Sequence, residues 1–125
     1  MKTAERKDTG SMSASFNGDA LGLDSMEGYS IGLTWTETAG SVAGILKLQA
    51  SDNAFLDNPG WPQSVNINPN ATWTDITGTA ATLTTGPGTQ FWNVSDVYYR
   101  AVRVVWTRTS GSGAYVAELF AKGIQ

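Results

Sequence analysis

The strongest constraint on this chain is an alternation of apolar and polar residues with a period of two. In residues 29–36, four large apolar side chains alternate with small or hydroxyl-bearing ones. Successive side chains of a β-strand point to opposite faces, so this segment predicts a half-buried strand with one apolar face. The alternation returns in residues 81–84, 98–109 and 115–122, with turn-forming residues between the segments. The pattern predicts an all-β fold.

Length and turn spacing narrow the fold further. A chain of 125 residues, of which only 15% are charged, matches one domain with one core. We predict about eight strands, for which an antiparallel β-sandwich of jelly-roll type is the simplest closure. Trp35 and Trp106 fall in phase with apolar strand faces and are predicted core residues. Residues 110–113, Ser-Gly-Ser-Gly, are predicted to form a hairpin loop.

The first ten residues differ from the rest of the chain. Five of them are charged, and none after the initiator is a large apolar residue. We therefore predict a flexible or extended N-terminal arm over 1–10 and a single β-sandwich domain over 11–125. Two interpretations stay open, a frayed terminus and an arm that orders on a neighbouring subunit. In the second, Lys2, Arg6 and Lys7 are candidate partner-binding residues.

The long loop over residues 51–71 supplies a further candidate. Trp61 lies there between Gly60 and Pro62. An exposed tryptophan in a loop is a contact point for a partner protein or a sugar face, whereas a buried one closes one end of the sandwich. Both interpretations stay open for Trp61. Oxygen-bearing side chains in the same loop do not have calcium-loop spacing, so no metal site is predicted.

Several function classes are excluded by what the chain lacks. It contains no His and no Cys, which removes the serine–histidine triad, thiol nucleophiles and most transition-metal sites. No paired carboxylate motif of a glycosidase stands out. We expect no enzyme and no cofactor. The net charge of −3 gives no general drive toward nucleic acid. No apolar run approaches the roughly 18 residues of a membrane span, and the start has no hydrophobic stretch of a signal peptide.

Several segments together resemble a known group of proteins. They are Gly-Tyr-Ser-Ile-Gly-Leu-Thr-Trp at 28–35, Leu-Lys-Leu-Gln-Ala-Ser-Asp at 46–52, Trp-Thr-Asp-Ile at 73–76, Trp-Asn-Val-Ser-Asp at 92–96, Tyr-Arg-Ala-Val-Arg-Val-Val-Trp-Thr-Arg-Thr-Ser-Gly-Ser-Gly at 99–113 and a terminal Ala-Lys-Gly at 121–123. The pattern resembles small β-sandwich virion structural proteins of tailed bacteriophages, of the capsid decoration or cement type. It also resembles discoidin-like carbohydrate-binding modules. Residues 1–27 lie outside the match.

The phage resemblance implies a non-enzymatic role. It implies a protein on the capsid exterior, made in the host bacterial cytoplasm, that binds the major capsid protein and stabilises the shell. A homo-oligomer, with a trimer favoured, is the assembly it implies. The alternatives are a carbohydrate-binding module for host attachment and a tail, baseplate or head-fibre component. We expect no nucleic-acid partner and no membrane partner.

Overall fold

The protein is all-β, and every strand pairs in an antiparallel sense. The computed structural model describes residues 2–23, 26–56, 68–84, 86–95 and 97–123, with side chains from residue 5 onward, and within these ranges there is no helix. The strands are β1 (Lys2–Ser11), β2 (Phe16–Asn17), β3 (Leu21–Gly22), β4 (Gly28–Ser51), β5 (Thr74–Asp75), β6 (Ala81–Leu83), β7 (Gly88–Val94) and β8 (Ala101–Gly123). The predicted antiparallel β-sandwich of about eight strands is confirmed.

Two strands run through the whole molecule. β4 has 24 residues and β8 has 23, and they pair from Gly28 opposite Lys122 to Ser51 opposite Ala101. All other strands pair with one of these two. The first half of β4 and the second half of β8, flanked by β1 and β7, form one layer, which we call the β1 layer. The remaining halves, with β2, β3, β5 and β6, form the second layer.

The two long strands bend together where they pass between layers. Their register shifts three times between Glu37 and Gly44, so β4 carries extra residues that bulge from the pairing. Residues 110–113, predicted as a hairpin loop, lie within β8 at this bend. Gly40 and Gly111 have positive φ values of 68° and 82°, which glycine adopts without strain. The glycines of residues 110–113 therefore mark a change of chain direction, as predicted, but they do not end the strand.

One apolar core joins the facing sides of the two layers. Trp106 is 1% exposed, and its Nε1 donates a hydrogen bond to the carbonyl of Met12 at 3.2 Å. Phe16, in the second layer, stacks on Tyr115, in the β1 layer, with ring centroids 5.0 Å apart. Trp35 is also buried, so both predicted tryptophan core residues are confirmed.

A polar contact inside this core joins Tyr29 of β4 to Tyr99, which precedes β8. Their hydroxyl oxygens lie 2.7 Å apart, and the rings meet edge to face. Burial is the main cause that raises the pKa of Tyr29, and the hydrogen bond to Tyr99 adds to it. Burial likewise raises the pKa of Tyr99. Both phenols therefore stay neutral at neutral pH.

The segment predicted as a flexible or extended N-terminal arm is an extended strand from Lys2 onward. Lys2–Ser11 form an edge strand that pairs without interruption with residues 114–123 of β8. An edge strand is held by backbone pairing along one side, so it does not need the large apolar side chains whose absence suggested an arm. The charged residues of this segment lie along the outer edge of the β1 layer.

The bend supplies a matched test of the fold. Gly111 and Gly78 have nearly equal φ values of 82° and 83°. A Cβ on Gly111 would collide with the backbone carbonyl of Ser41, whereas nothing lies within 4 Å of a Cβ on Gly78. We expect Gly78→Ala to lower the free energy of unfolding by about 1–2 kcal/mol, the backbone cost alone. Gly111→Ala should cost about 3 kcal/mol or more in urea unfolding. Equal losses would contradict the proposed close approach.

Candidate functional site

The candidate site is the outer surface of the β1 layer, which we call the outer face. It arises because alternate residues of four paired strands point away from the core. In β8, Ala117 and Leu119 are buried, while Val116, Glu118 and Phe120 point outward and are exposed. The neighbouring strands follow the same alternation, so outward residues of all four strands form one surface.

The strand register fixes which outward residues are neighbours. One row runs from Lys7 of β1 across Glu118 of β8 and Gly32 of β4 to Phe91 of β7. The adjacent row contains Glu5, Phe120, Ser30 and Asn93, and the next contains Thr9, Val116, Thr34 and Thr89. Charges therefore lie on the β1 side of the outer face, and uncharged residues lie on the β7 side.

Three large apolar side chains of the outer face are open to solvent. Phe91 is 61% exposed, Phe120 38% and Val116 37%. Two shallow depressions on this face both include Phe91 and Phe120 in their walls. Large apolar side chains grouped on an exposed sheet face are typical of interaction surfaces.

Gly32 shapes the surface between these side chains. A Cβ at this position would lie 3.4 Å from Cδ1 of Phe91, so the phenyl ring rests directly beside the glycine. The missing side chain lets the ring approach the β4 backbone and leaves a shallow recess between Phe91 and β8. The recess can accept a protruding apolar or planar group from a partner.

Of the two predicted partner-binding residues whose side chains the structure describes, Lys7 points to the outer face and Arg6 does not. Arg6 points to the opposite side of β1, where its guanidinium donates to Asp8 at 3.2 Å and to Asp19 at 3.1 Å. Its side chain is only 17% exposed. Lys2 belongs to β1, and its side chain lies outside the described residues. Trp61 lies outside them as well.

The Arg6 ion pairs lie at the opening of a cavity between the two layers. The cavity has a volume of about 310 Å³ and is lined by apolar residues of both layers, including Ile31 and Val104. Its charged groups are already paired with one another. The described residues contain no group of three or more His, Cys, Asp or Glu that would bind a metal ion.

A second group of polar side chains lies on the outer surface of the other layer. Arg103 donates from Nε and Nη2 to Oε1 of Gln49 at 2.9 and 2.7 Å and lies 4.3 Å above the ring of Trp73. Gln49 donates in turn to Asp75, whose pKa is lowered by this bond first and by Lys47 second. These groups satisfy one another, so the cluster holds β5 against β4.

The outer face is not predicted from the sequence. Phe91, Phe120, Val116 and Gly32 were not candidates, although the alternation itself held the signal. Val116 and Phe120 share a strand face with Glu118 and Lys122 in the sequence of β8. Large apolar residues in phase with charged ones indicate an exposed apolar patch.

Comparisons with known proteins identify the fold. No protein-family model matches the chain, and no curated protein does. The SPBc2 prophage-derived protein YomS matches with a TM-score of 0.54 at 11% identity, over 96% of each chain. The Yersinia pseudotuberculosis-derived mitogen matches at 0.48 and 12% identity, over 99% of this chain and 89% of that one. The CBM22-1 xylan-binding domain of Paenibacillus barcinonensis Xyn10C matches at 0.43 and 15%, over 95% and 83%.

The similarity to YomS shows a shared all-β fold, which is the class that the structure defines. The described part of the chain contains no helix able to span a lipid bilayer.

The exposure of Phe91 leads to a prediction about stability. Its neighbour Trp92 is buried, and Nε1 of Trp92 donates to the carbonyl of Thr79 at 2.8 Å. We expect Phe91→Thr to change the free energy of unfolding by no more than about 1 kcal/mol. Trp92→Thr should cost about 3–5 kcal/mol. Urea unfolding of both variants tests this, and a similar loss in both would show that Phe91 supports the core.

Proposed function

We propose that this chain is a non-enzymatic structural protein of a bacteriophage virion that decorates or cements the capsid. The observation that carries the proposal is the outer face, where Phe91, Phe120 and Val116 are exposed on one side of a four-stranded layer. The occupant of this face is the outer surface of the major capsid protein. A stiff sheet loses little conformational entropy on docking, which suits a protein that reinforces a shell.

The composition of the outer face fits such a contact. Its apolar side chains gain free energy when water is excluded, and Glu5 and Lys7, on the edge strand β1, remain solvated at the rim. Glu118 lies between Val116 and Phe120 on β8, so the partner must supply a cation or a hydrogen-bond donor there. Lys7 is thus the one sequence candidate included in the proposed contact. Lys2 and Trp61 stay predictions as partner-binding residues, and Arg6 contributes through its ion pairs inside the chain.

Two further observations support a phage origin. The segments between residues 28 and 123 resemble virion proteins of tailed phages, and the fold is shared with a prophage-derived protein. We propose that the protein is made in the host bacterial cytoplasm and carried on the capsid exterior. There, many copies on a repeated lattice would hold the shell together although each contact is weak.

One observation favours a second candidate function, carbohydrate binding. The ring of Phe91 is exposed near Asn93 and Ser30, which offer hydrogen bonds beside an apolar surface. A sugar presents an apolar face and hydroxyl groups, and this combination suits it. Such a module would serve host attachment. The choice of ligand separates the two functions, since one requires capsids and the other a free glycan.

Co-sedimentation with capsids tests the proposed function. Capsids of the phage that encodes the chain, stripped of their accessory proteins, would be mixed with wild-type protein or with Phe91→Thr. We expect wild-type protein to pellet saturably and the variant to bind about tenfold more weakly, because it loses one buried aromatic contact. Ile45→Thr, which also removes an exposed apolar side chain but on the other layer, is the matched control and should bind normally.

The outcomes are distinct. Binding that is unaffected by Phe91→Thr would refute the outer face as the capsid contact. Absence of wild-type binding to capsids, together with a saturable fluorescence change on adding a glycan, would favour the carbohydrate module.

A further inference from the structure

Among the described residues, none pairs with the outer edge of β1. β1 pairs with β8 on one side only and stands last in the strand order. Its ten residues follow β8 without a register shift. A long, straight edge of this kind presents a row of free backbone donors and acceptors to another strand.

The hydrogen-bond phase of β1 identifies the groups that point outward. The N–H of Met12, the residue after β1, donates to the carbonyl of Gly113 at 2.8 Å. Antiparallel neighbours alternate between hydrogen-bonded and non-hydrogen-bonded pairs, so even-numbered residues of β1 bond to β8. The N–H and C=O groups of Thr3, Glu5, Lys7 and Thr9 therefore point to the free edge.

Proteins often protect such an edge with a proline, a bulge or charged side chains, including inward-pointing ones. Arg6 and Asp8 of β1 point inward, but they neutralise each other. β1 contains no proline, and its pairing shows no bulge. Its charges have both signs, in the order Lys2, Glu5, Arg6, Lys7 and Asp8. Mixed charges block an edge poorly, because an antiparallel copy of the same strand can place opposite charges side by side.

We propose that two copies of this chain pair through β1, antiparallel, about a two-fold axis at Arg6. In this register Glu5 lies opposite Lys7 of the partner subunit, and Lys7 lies opposite Glu5 of the partner subunit. Glu5 and Lys7 have their backbone N–H and C=O groups at the free edge, so these two residues would exchange hydrogen bonds with the partner strand. Their side chains point to the outer face. The proposal does not depend on capsid binding.

The existing ion pairs select this register. Arg6 and Asp8 already bond to each other on the inner side, and Arg6 also bonds to Asp19. Glu5 and Lys7 are exposed, and within the described ranges neither forms an ion pair. The unpaired charges are thus the ones that the two-fold contact would join, while the Arg6 side chains that meet at the axis are already neutralised.

The same reasoning favours two copies over the three expected from the sequence. A cyclic trimer joins two different patches of the chain, whereas a two-fold pair joins one patch to itself. The other edge of the β1 layer is β7, Gly-Thr-Gln-Phe-Trp-Asn-Val, which has no charge to complement β1. Pairing of β1 with itself would extend the layer to eight strands and join the two outer faces.

Charge reversal tests the proposal. Glu5→Lys places two lysines opposite two lysines, and Lys7→Glu places two glutamates opposite two glutamates. We expect either variant to dimerise about tenfold more weakly than wild type at low salt, as measured by sedimentation equilibrium. Glu27→Lys makes the same charge change at an exposed site away from the edge and should dimerise normally.

Mixing the two variants gives the decisive result. A pair formed from Glu5→Lys and Lys7→Glu has opposite charges at both positions, so the mixture should recover wild-type affinity as a heterodimer. Isotope labelling of one variant makes the heterodimer visible by native mass spectrometry. A monomeric or trimeric wild type, or a mixture that associates no better than the single variants, would overturn the proposal.

A cysteine pair checks the register, because the chain has no cysteine of its own. The two Arg6 residues on the two-fold axis face each other at a non-hydrogen-bonded position, where the Cα separation suits a disulfide. Arg6→Cys should therefore form a disulfide-linked dimer under mild oxidation. Efficient cross-linking of Lys7→Cys in place of Arg6→Cys would overturn the register.

Discussion

The antiparallel pairing of β4 with β8 is the interaction on which the rest of this structure depends. It runs from Gly28 opposite Lys122 to Ser51 opposite Ala101 and passes through both layers. Every other strand is attached to one of these two. The bend near Gly40 and Gly111 folds one continuous sheet into a two-layered sandwich. Trp35 and Trp106 are buried between the two layers. The positions of both outer surfaces follow from this single register.

The sequence predicts the fold well because its signal is local. The period of two in residues 29–36 is enough to show which side of β4 is buried, and the same holds for Trp106 in β8. The bend is harder to predict, because glycines that end a strand and glycines that bend one look alike in sequence. Only the pairing of 110–113 with β4 distinguishes the two cases, and that pairing is set by distant residues.

The N-terminal strand and the outer face escape prediction for another physical reason. The stability of β1 comes from backbone bonds to β8, and charged side chains such as Glu5 and Lys7 reveal nothing about such bonds. Phe91 and Phe120 resemble core residues by type, and their exposure depends on which strands flank them. Apart from Lys7, the residues of the proposed contacts are therefore ones that the sequence alone did not identify.

We propose that the β1 layer of one copy continues into that of a second copy through pairing of their β1 strands. Residue-by-residue amide exchange measured by NMR tests it most directly, since neighbouring amides of β1 point in opposite directions. At high protein concentration we predict slow exchange at Glu5 and Lys7 in wild type and fast exchange there in Lys7→Glu. Arg6 and Asp8, which bond to β8, should be protected in both. Fast exchange at Glu5 and Lys7 in wild type, with Arg6 and Asp8 protected, would contradict the account.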